Sequence, residues 1–292
     1  MPNHPLAEVF GFPPDELSEE VERYRRSKLC PYHNKVPSCT KDKANNPLGV
    51  CSIHDGGEVT ITCPIRFRQD WLIAEDAANF LFTPGTAWTS LQEVRLNSAD
   101  GKSAGNIDFV LVAYDDTGKI TDFGSLEVQA VYISGNVRQP FEHYMSDREN
   151  RREMIWTSTN VRADYLSSSR KRLVPQMLYK GSICKTWRKK QAVALHRGFY
   201  NTLPVLPEVA EEDADVAWLV YDLELKKSQN RYQLVHYNTV YTQFGAALEK
   251  ITTPKTGSVD DFIIKLQEKL GEQLDNQYSP DAPTLTDILK SE

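Results

Sequence analysis

The chain has 292 residues and a mass of 33.2 kDa, with 40% hydrophobic and 25% charged residues and a formal net charge of −6. That length gives one large domain or two small ones, and the composition excludes collagen, coiled coil and wholesale disorder. No run of about 18 apolar residues exists to span a membrane, and the stretch MPNHPLAEVFGFPPDELSEE has neither the basic start nor the apolar middle of a secretion signal, which predicts a cytoplasmic protein.

In chain order, a short helix is predicted from Pro14 to Arg26, ending in the basic cluster Arg23, Arg25, Arg26 and Lys28. Then come four of the five cysteines, Cys30, Cys39, Cys51 and Cys63, spaced C-x8-C-x11-C-x11-C within 34 residues. An odd cysteine count without an export signal argues against a disulfide framework. Thiolates gathered in a reducing compartment usually hold a metal, and four soft sulfurs suit tetrahedral zinc or iron. The intervening sequence is rich in Pro, Gly and Asn and poor in large apolar residues, so a metal would supply stabilisation the segment lacks. His33 and His54 are substitute ligands for it. Four protein sulfurs leave no open position, so the site is read as structural.

Asp70 is placed to cap a helix from Trp71 to Phe82, stopped by Thr83-Pro84-Gly85. A second short helix, Ala87 to Leu96, is predicted to carry Glu93. Two β-rich runs follow, 107–114 and 120–133, joined by the turn Asp115 to Lys119, and read as a hairpin. With Tyr114 opposite Ile120, Asp108 falls opposite Leu126; a one-residue bulge at such a turn brings it level with Glu127. Gln129 shares the face of Glu127, because strand side chains repeat every two residues. Two carboxylates among apolar strand neighbours are costly unless a cation neutralises them. Hard oxygen ligands with open positions suit Mg2+, which keeps waters and shares its coordination with phosphate.

The segment 138–198 holds 14 Lys and Arg against 5 Asp and Glu, a local net of +9 inside an acidic protein. Interleaved with Tyr144, Trp156, Tyr165, Tyr179 and Trp187, it reads as a dedicated face for a polyanion. Candidate DNA contacts are Arg138, Arg151, Arg152, Arg170, Lys171, Arg172, Lys185, Arg188 and Lys189, most gripping phosphates and some reading base edges. A helix is predicted from Ile183 to Tyr200, then a strand pair (216–225 and 232–241), then a helix from Val259 to Leu274 opened by a capping box of Ser258 and Asp261. The fold class is α/β, a mixed central sheet flanked by helices with a small four-cysteine lobe. The expected division is 1–68 for the N-terminal segment and lobe, 69–275 for the core and 276–292 for a polar tail.

The series Asp108, x18, Glu127, x, Gln129 resembles the PD-(D/E)xK nuclease motif with Gln in the Lys place. The four cysteines, EVQAVYISGNVRQP and KTWRKKQAVALHRGFYN together resemble the NotI family of type II restriction endonucleases, over about Cys30 to Tyr241. The resemblance implies a PD-(D/E)xK core in which Asp108 and Glu127 ligate Mg2+ at the scissile phosphate, Gln129 stands in the Lys position, and Glu93 helps bind metal or orient metal-bound water. It implies structural iron on Cys30, Cys39, Cys51 and Cys63, with zinc as the alternative. It further implies a GC-rich palindromic site on double-stranded DNA, a homodimer to cut both strands, and a cognate DNA methyltransferase. Two other readings compete: a non-enzymatic metal-ribbon DNA-binding protein, and a rubredoxin-like electron carrier, which has no use for the +9 segment. A repair nuclease of the same superfamily is a variant of the first reading.

Overall fold

Period-two alternation and β-branched runs put most of the order of this chain into strands. The computed structural model describes residues 4–33, 36–43, 45–156, 161–254 and 256–275. They fall into two units, Met1–Thr252 and Thr253–Glu292; the predicted tail over 276–292 lies outside the described residues.

The first unit begins with β1 (Leu6–Val9), helix α1 (Glu19–Arg26), the short pair β2 (Asp42–Lys43) and β3 (Asn46–Pro47), and β4 (Val50–Asp55) with β5 (Glu58–Ile61). Strands β1, β4 and β5 make a three-stranded antiparallel sheet. Helix α1 starts later than predicted, after Ser18, and Arg25 of its basic cluster is buried, donating at 2.6 Å to both the Glu16 and Pro13 carbonyls. A 3-10 turn, Pro64–Trp71, leads into α2 (Leu72–Leu81). Asp70 does not cap α2: Asp70 (φ 53°) and Trp71 (φ 58°) both take the left-handed conformation, and no side chain caps this end.

Six strands build the main sheet. They are β6 (Trp88–Asn97), β7 (Ser103–Tyr114), β8 (Ile120–Gln129), then β11 (Gln191–His196), β12 (Val216–Lys226) and β13 (Arg231–Thr242). Between β8 and β11 lie β9 (Tyr132–Ser134), helix α3 (Arg138–Ser146) and β10 (Arg162–Asp164), with β9 and β10 paired antiparallel. The order across the main sheet is β13-β12-β11-β8-β7-β6. Strand β11 runs parallel to both β8 and β12, and the outer pairs are antiparallel, so the sheet is mixed.

Two predicted helices are strands. The segment 87–96 is edge strand β6, because WTSLQEVRLN alternates with period two and half-buries every second side chain. The helix over 183–200 stops at Thr186. QAVALH then forms the buried central strand β11, and only Arg197–Tyr200 returns to a helical turn. A strand covered on both faces reads as an unbroken apolar run with no alternation to betray it.

Helix α2 packs Ile73, Ala77 and Leu81 on one sheet face against Phe109, Leu111, Leu126 and Val128. Gly124 permits this approach, since a Cβ there would lie 2.5 Å from Leu81 Cδ2. The other face is covered by a helical run over 165–186 and by Phe244–Thr252, which bring Leu173, Met177 and Phe244 onto Val193, Trp218 and Val240. Within that run α-helical turns alternate with two π-helical stretches, Ser169–Leu173 and Met177–Gly181.

The small sheet is joined to the main one by a buried charge cluster. Arg66 Nε donates to Glu8 Oε1 (2.9 Å) and Oε2 (3.0 Å), Ser52 Oγ donates to Glu8 Oε2 (2.8 Å), and Arg66 Nη2 donates to the Tyr232 carbonyl on β13 (2.9 Å). In the second unit, helix Val259–Asp275 matches the predicted one closely, and Ser258 Oγ accepts from the Asp260 N–H at 3.1 Å. Among the described residues no helix is long and apolar enough to cross a membrane.

Candidate active site

The site forms where β6, β7 and β8 run side by side. Tyr114 pairs with Ile120, the register then shifts by one, and Phe109 pairs with Leu126. Extending that register sets Asp108 beside Glu127. On the other side, Gln92 pairs with Phe109 and Val94 with Ile107, which sets Glu93 across from Asp108. Three carboxylates thus occupy neighbouring positions on three adjacent strands, and Glu93 joins them from an edge strand rather than a helix. Glu93 is exposed and left-handed (φ 55°), an uncommon backbone for a bulky side chain and one that gathers at functional sites.

Phe109 and Leu126 point toward α2, so Asp108, Glu127 and Gln129 point to the opposite face, beneath the 165–186 helix. Asp108 Oδ2 accepts from the Val128 N–H at 2.9 Å. Glu127 is 8% exposed, and its Oε2 accepts from Lys180 Nζ at 2.6 Å; the same ammonium donates to the Asn106 carbonyl at 2.8 Å. Burial pushes the Glu127 carboxyl up to about 8; the nearby Asp108 charge adds to this and Lys180 opposes it. Gln129 is fully buried and its Nε2 donates to Gln176 Oε1. Two buried oxygens, Glu127 Oε1 and Gln129 Oε1, have no hydrogen-bond partner. Arg68 completes the surroundings: burial lowers its pKa, Glu93 and then Asp108 act against that, and its guanidinium lies 5.1 Å from the centre of the Phe109 ring. It also lines a polar recess of about 520 Å³ with Asp70, Trp71 and Arg231.

Lys180, Gln176, Asn106 and Arg68 have no counterpart in the sequence reading. Gln176 and Lys180 are four apart on a helix and so share a face, but nothing in that spacing says which strand the face meets.

The chemistry available here fits a hard cation. Orphaned buried oxygens are costly, and a divalent ion satisfies oxygens for which no N–H is supplied. Among the described residues no three His, Cys, Asp or Glu side chains converge tightly enough to hold a metal. The donor set here is two carboxylates and an amide oxygen, with Glu93 one strand away.

The four cysteines likewise do not form a ligand cluster among the described residues. Cys30, Cys39, Cys51 and Cys63 do line one cavity of about 10 Å³, room for a single water-sized body. Burial raises the thiol pKa of Cys30, to about 11, and of Cys39 and Cys51, and neighbouring thiols add to it in each case. His33 lines the same cavity, whereas His54 lies with His4 in another recess.

The nine basic candidates do not share one fate. Arg138 is paired with Asp42 and Glu142, Lys185 with Asp215, and Lys189 with Asp122. Arg151 donates to the His143 carbonyl at 2.6 Å, and Arg152 lies 3.9 Å from Glu153. Arg188 is exposed and left-handed (φ 56°). Arg170 and Lys171 are exposed on the helix that also carries Gln176 and Lys180, and the Arg172 guanidinium lies 5.3 Å from the centre of the Tyr132 ring.

Residues 15–234, more than half of the chain, match the family model for restriction endonuclease NotI. No curated protein matches the chain closely enough to count as a relative.

Proposed function

The chain belongs to the NotI restriction endonuclease family, and from that premise we propose a type II enzyme that makes Mg2+-dependent double-strand cuts in DNA at a GC-rich palindrome. The observation that carries this reading is the acid pair Asp108 and Glu127 on one strand face, beside the partnerless oxygens of Glu127 and Gln129. On this reading the main sheet is a PD-(D/E)xK core, with the lobe before residue 69 as its accessory part.

Asp108 and Glu127 would hold Mg2+, with Gln129 Oε1 facing the same space. When bound, Mg2+ supplies an acidified water and stabilises negative charge on the phosphoryl group in flight. The protein's own groups do the rest. The Val128 N–H fixes the Asp108 carboxylate through Oδ2. Gln129 neither ionises nor accepts a proton at neutral pH, and its amide nitrogen is committed to Gln176, so its role is to orient. Glu93, exposed at the rim, is placed to orient an attacking water. Arg170, Lys171 and Arg172 would meet the DNA backbone first, because they share the helical run that carries Gln176 and Lys180 and are not held in ion pairs among the described residues; the residues tied to Asp42, Asp122 and Asp215 would contribute less.

In the lobe, four thiols around a space for one small body support a structural iron, or zinc, with no part in the reaction. Symmetric cutting of a palindrome calls for a homodimer, and protection of host DNA calls for a methyltransferase of matching specificity. The same reading places the enzyme in the cytoplasm.

Digestion of genome-sized DNA with Mg2+, followed by sequencing of the ends, tests this. Discrete fragments with one common terminal sequence are expected, and none in EDTA. Bound but intact DNA would favour the non-enzymatic DNA-binding reading.

A further inference from the structure

Restriction chemistry of the kind proposed needs positive charge near the phosphate, and the motif's third position does not provide it. Gln129 carries no charge, and one N–H of its amide is taken by Gln176. An ammonium in contact with the acid pair comes from elsewhere in the chain. Lys180 is 5% exposed, and Nζ is held between Glu127 Oε2 (2.6 Å) and the Asn106 carbonyl (2.8 Å). Gly181, beside it, has no room for a Cβ, which would lie 2.5 Å from Phe244 Cε2. The turn carrying Lys180 is therefore held close to the sheet by the packing of Phe244. That turn is π-helical, a form that appears mostly in short stretches and often at functional sites.

We propose that Lys180 supplies the cation missing at position 129, and that it shares Glu127 with the divalent ion by exchange: the ammonium is tied to Glu127 Oε2 in the metal-free protein and is released toward the DNA phosphate when a metal arrives. This rests on the nuclease reading above. Glu127 has one oxygen taken by Lys180 and one with no partner. A metal gripping this carboxylate places a second cation beside the ammonium, and like charges at that range repel. Lysine suits such a move, being a compact charge on a flexible four-carbon stem. A buried lysine with a purely structural task would have no reason to leave.

Two measurements on the full chain test the exchange. First, brief acetylation with peptide mapping reads the accessibility of Lys180 in the wild type, in EDTA and in Ca2+. The expected result is protection in EDTA and faster modification with Ca2+; equal rates overturn the exchange, and no mutant need fold. Second, Lys180→Met is compared with wild type by Ca2+ calorimetry and by single-turnover cleavage in Mg2+, after a melt confirms cooperative unfolding. The variant should bind Ca2+ several-fold tighter and cut about 10²-fold more slowly. The double substitution Gln129→Lys with Lys180→Gln should recover cleavage relative to Lys180→Gln alone. Unchanged or weaker Ca2+ binding overturns the exchange, and a swap no better than the single variant overturns the charge-supply role. If the wild type cuts but Lys180→Met cuts equally well and labelling does not respond to Ca2+, this inference fails and the nuclease reading stands. If the wild type never cuts, both fail.

Discussion

Lys180 Nζ lies 2.6 Å from Glu127 Oε2 although 53 positions separate the two residues along the chain. The contact brings one residue of the basic segment onto the acid pair, while Phe141 and Tyr144 of the same segment pack in the N-terminal lobe. Arg170, Lys171 and Arg172 sit on the same helical run, nearer Tyr132 than Glu127.

Asp108→Asn and Glu127→Gln should each lower the single-turnover cleavage rate by about 10³-fold or more. DNA affinity measured in EDTA should stay near wild type, because neither carboxylate attracts the phosphates. Mg2+-dependent cutting by both variants at an appreciable rate would remove these residues from the reaction.

The Glu127 carboxyl gives the metal-free protein a distinct pH response. Its value is raised from the ordinary 4.5 to about 8, so the folded state holds this proton more tightly than the unfolded chain does. The stability it contributes is whole below about 4.5 and is lost as the pH rises through about 8. In EDTA, the melting temperature of wild type should therefore fall across this window relative to that of Glu127→Gln, whose side chain does not titrate. Parallel curves would contradict the shift.

Arg66→Met should destabilise the fold by about 3–5 kcal/mol, the cost of leaving one member of a buried ion pair unpaired. Both side chains are fully buried. Urea unfolding gives the number. The double variant Arg66→Met with Glu8→Gln should regain a good part of it, since no lone charge is then left inside.

DNA affinity should fall steeply with salt, and Arg170→Ala or Lys171→Ala should each reduce the slope of log K against log salt by about one. Arg138→Ala should change that slope far less, because Asp42 and Glu142 already engage its guanidinium. Filter binding over a salt series distinguishes them.

On the proposed reading of the cysteine lobe, elemental analysis of protein purified without chelators should find about one iron or zinc per chain. Cys51→Ala should lose that metal and melt at a lower temperature, whereas Cys184→Ala, on a different buried thiol, should keep it.

How much of this was readable in advance depended on the range of the interaction. The Asp108 and Glu127 alignment follows from a turn length and a two-residue period, both local, and the one-residue shift lies where the turn predicts it. Glu93 was legible as an acid near the site but not as a strand residue, since a ten-residue amphipathic run with alternation on an edge is easily taken for a helix. Strand β11 was hidden by its own burial, which removes polar residues from both faces. Lys180 was unreadable: it stands among thirteen other basic residues of the 138–198 segment, and only the docking of its helix onto β8 sets it apart.

The three acids stand on β6, β7 and β8, which form one margin of the six-stranded sheet. On the proposed reading DNA reaches these strands from the side of edge strand β6. Covalently closed plasmid circles should then be cut as readily as linear fragments carrying the same site, which sets this enzyme apart from nucleases that must begin at a terminus.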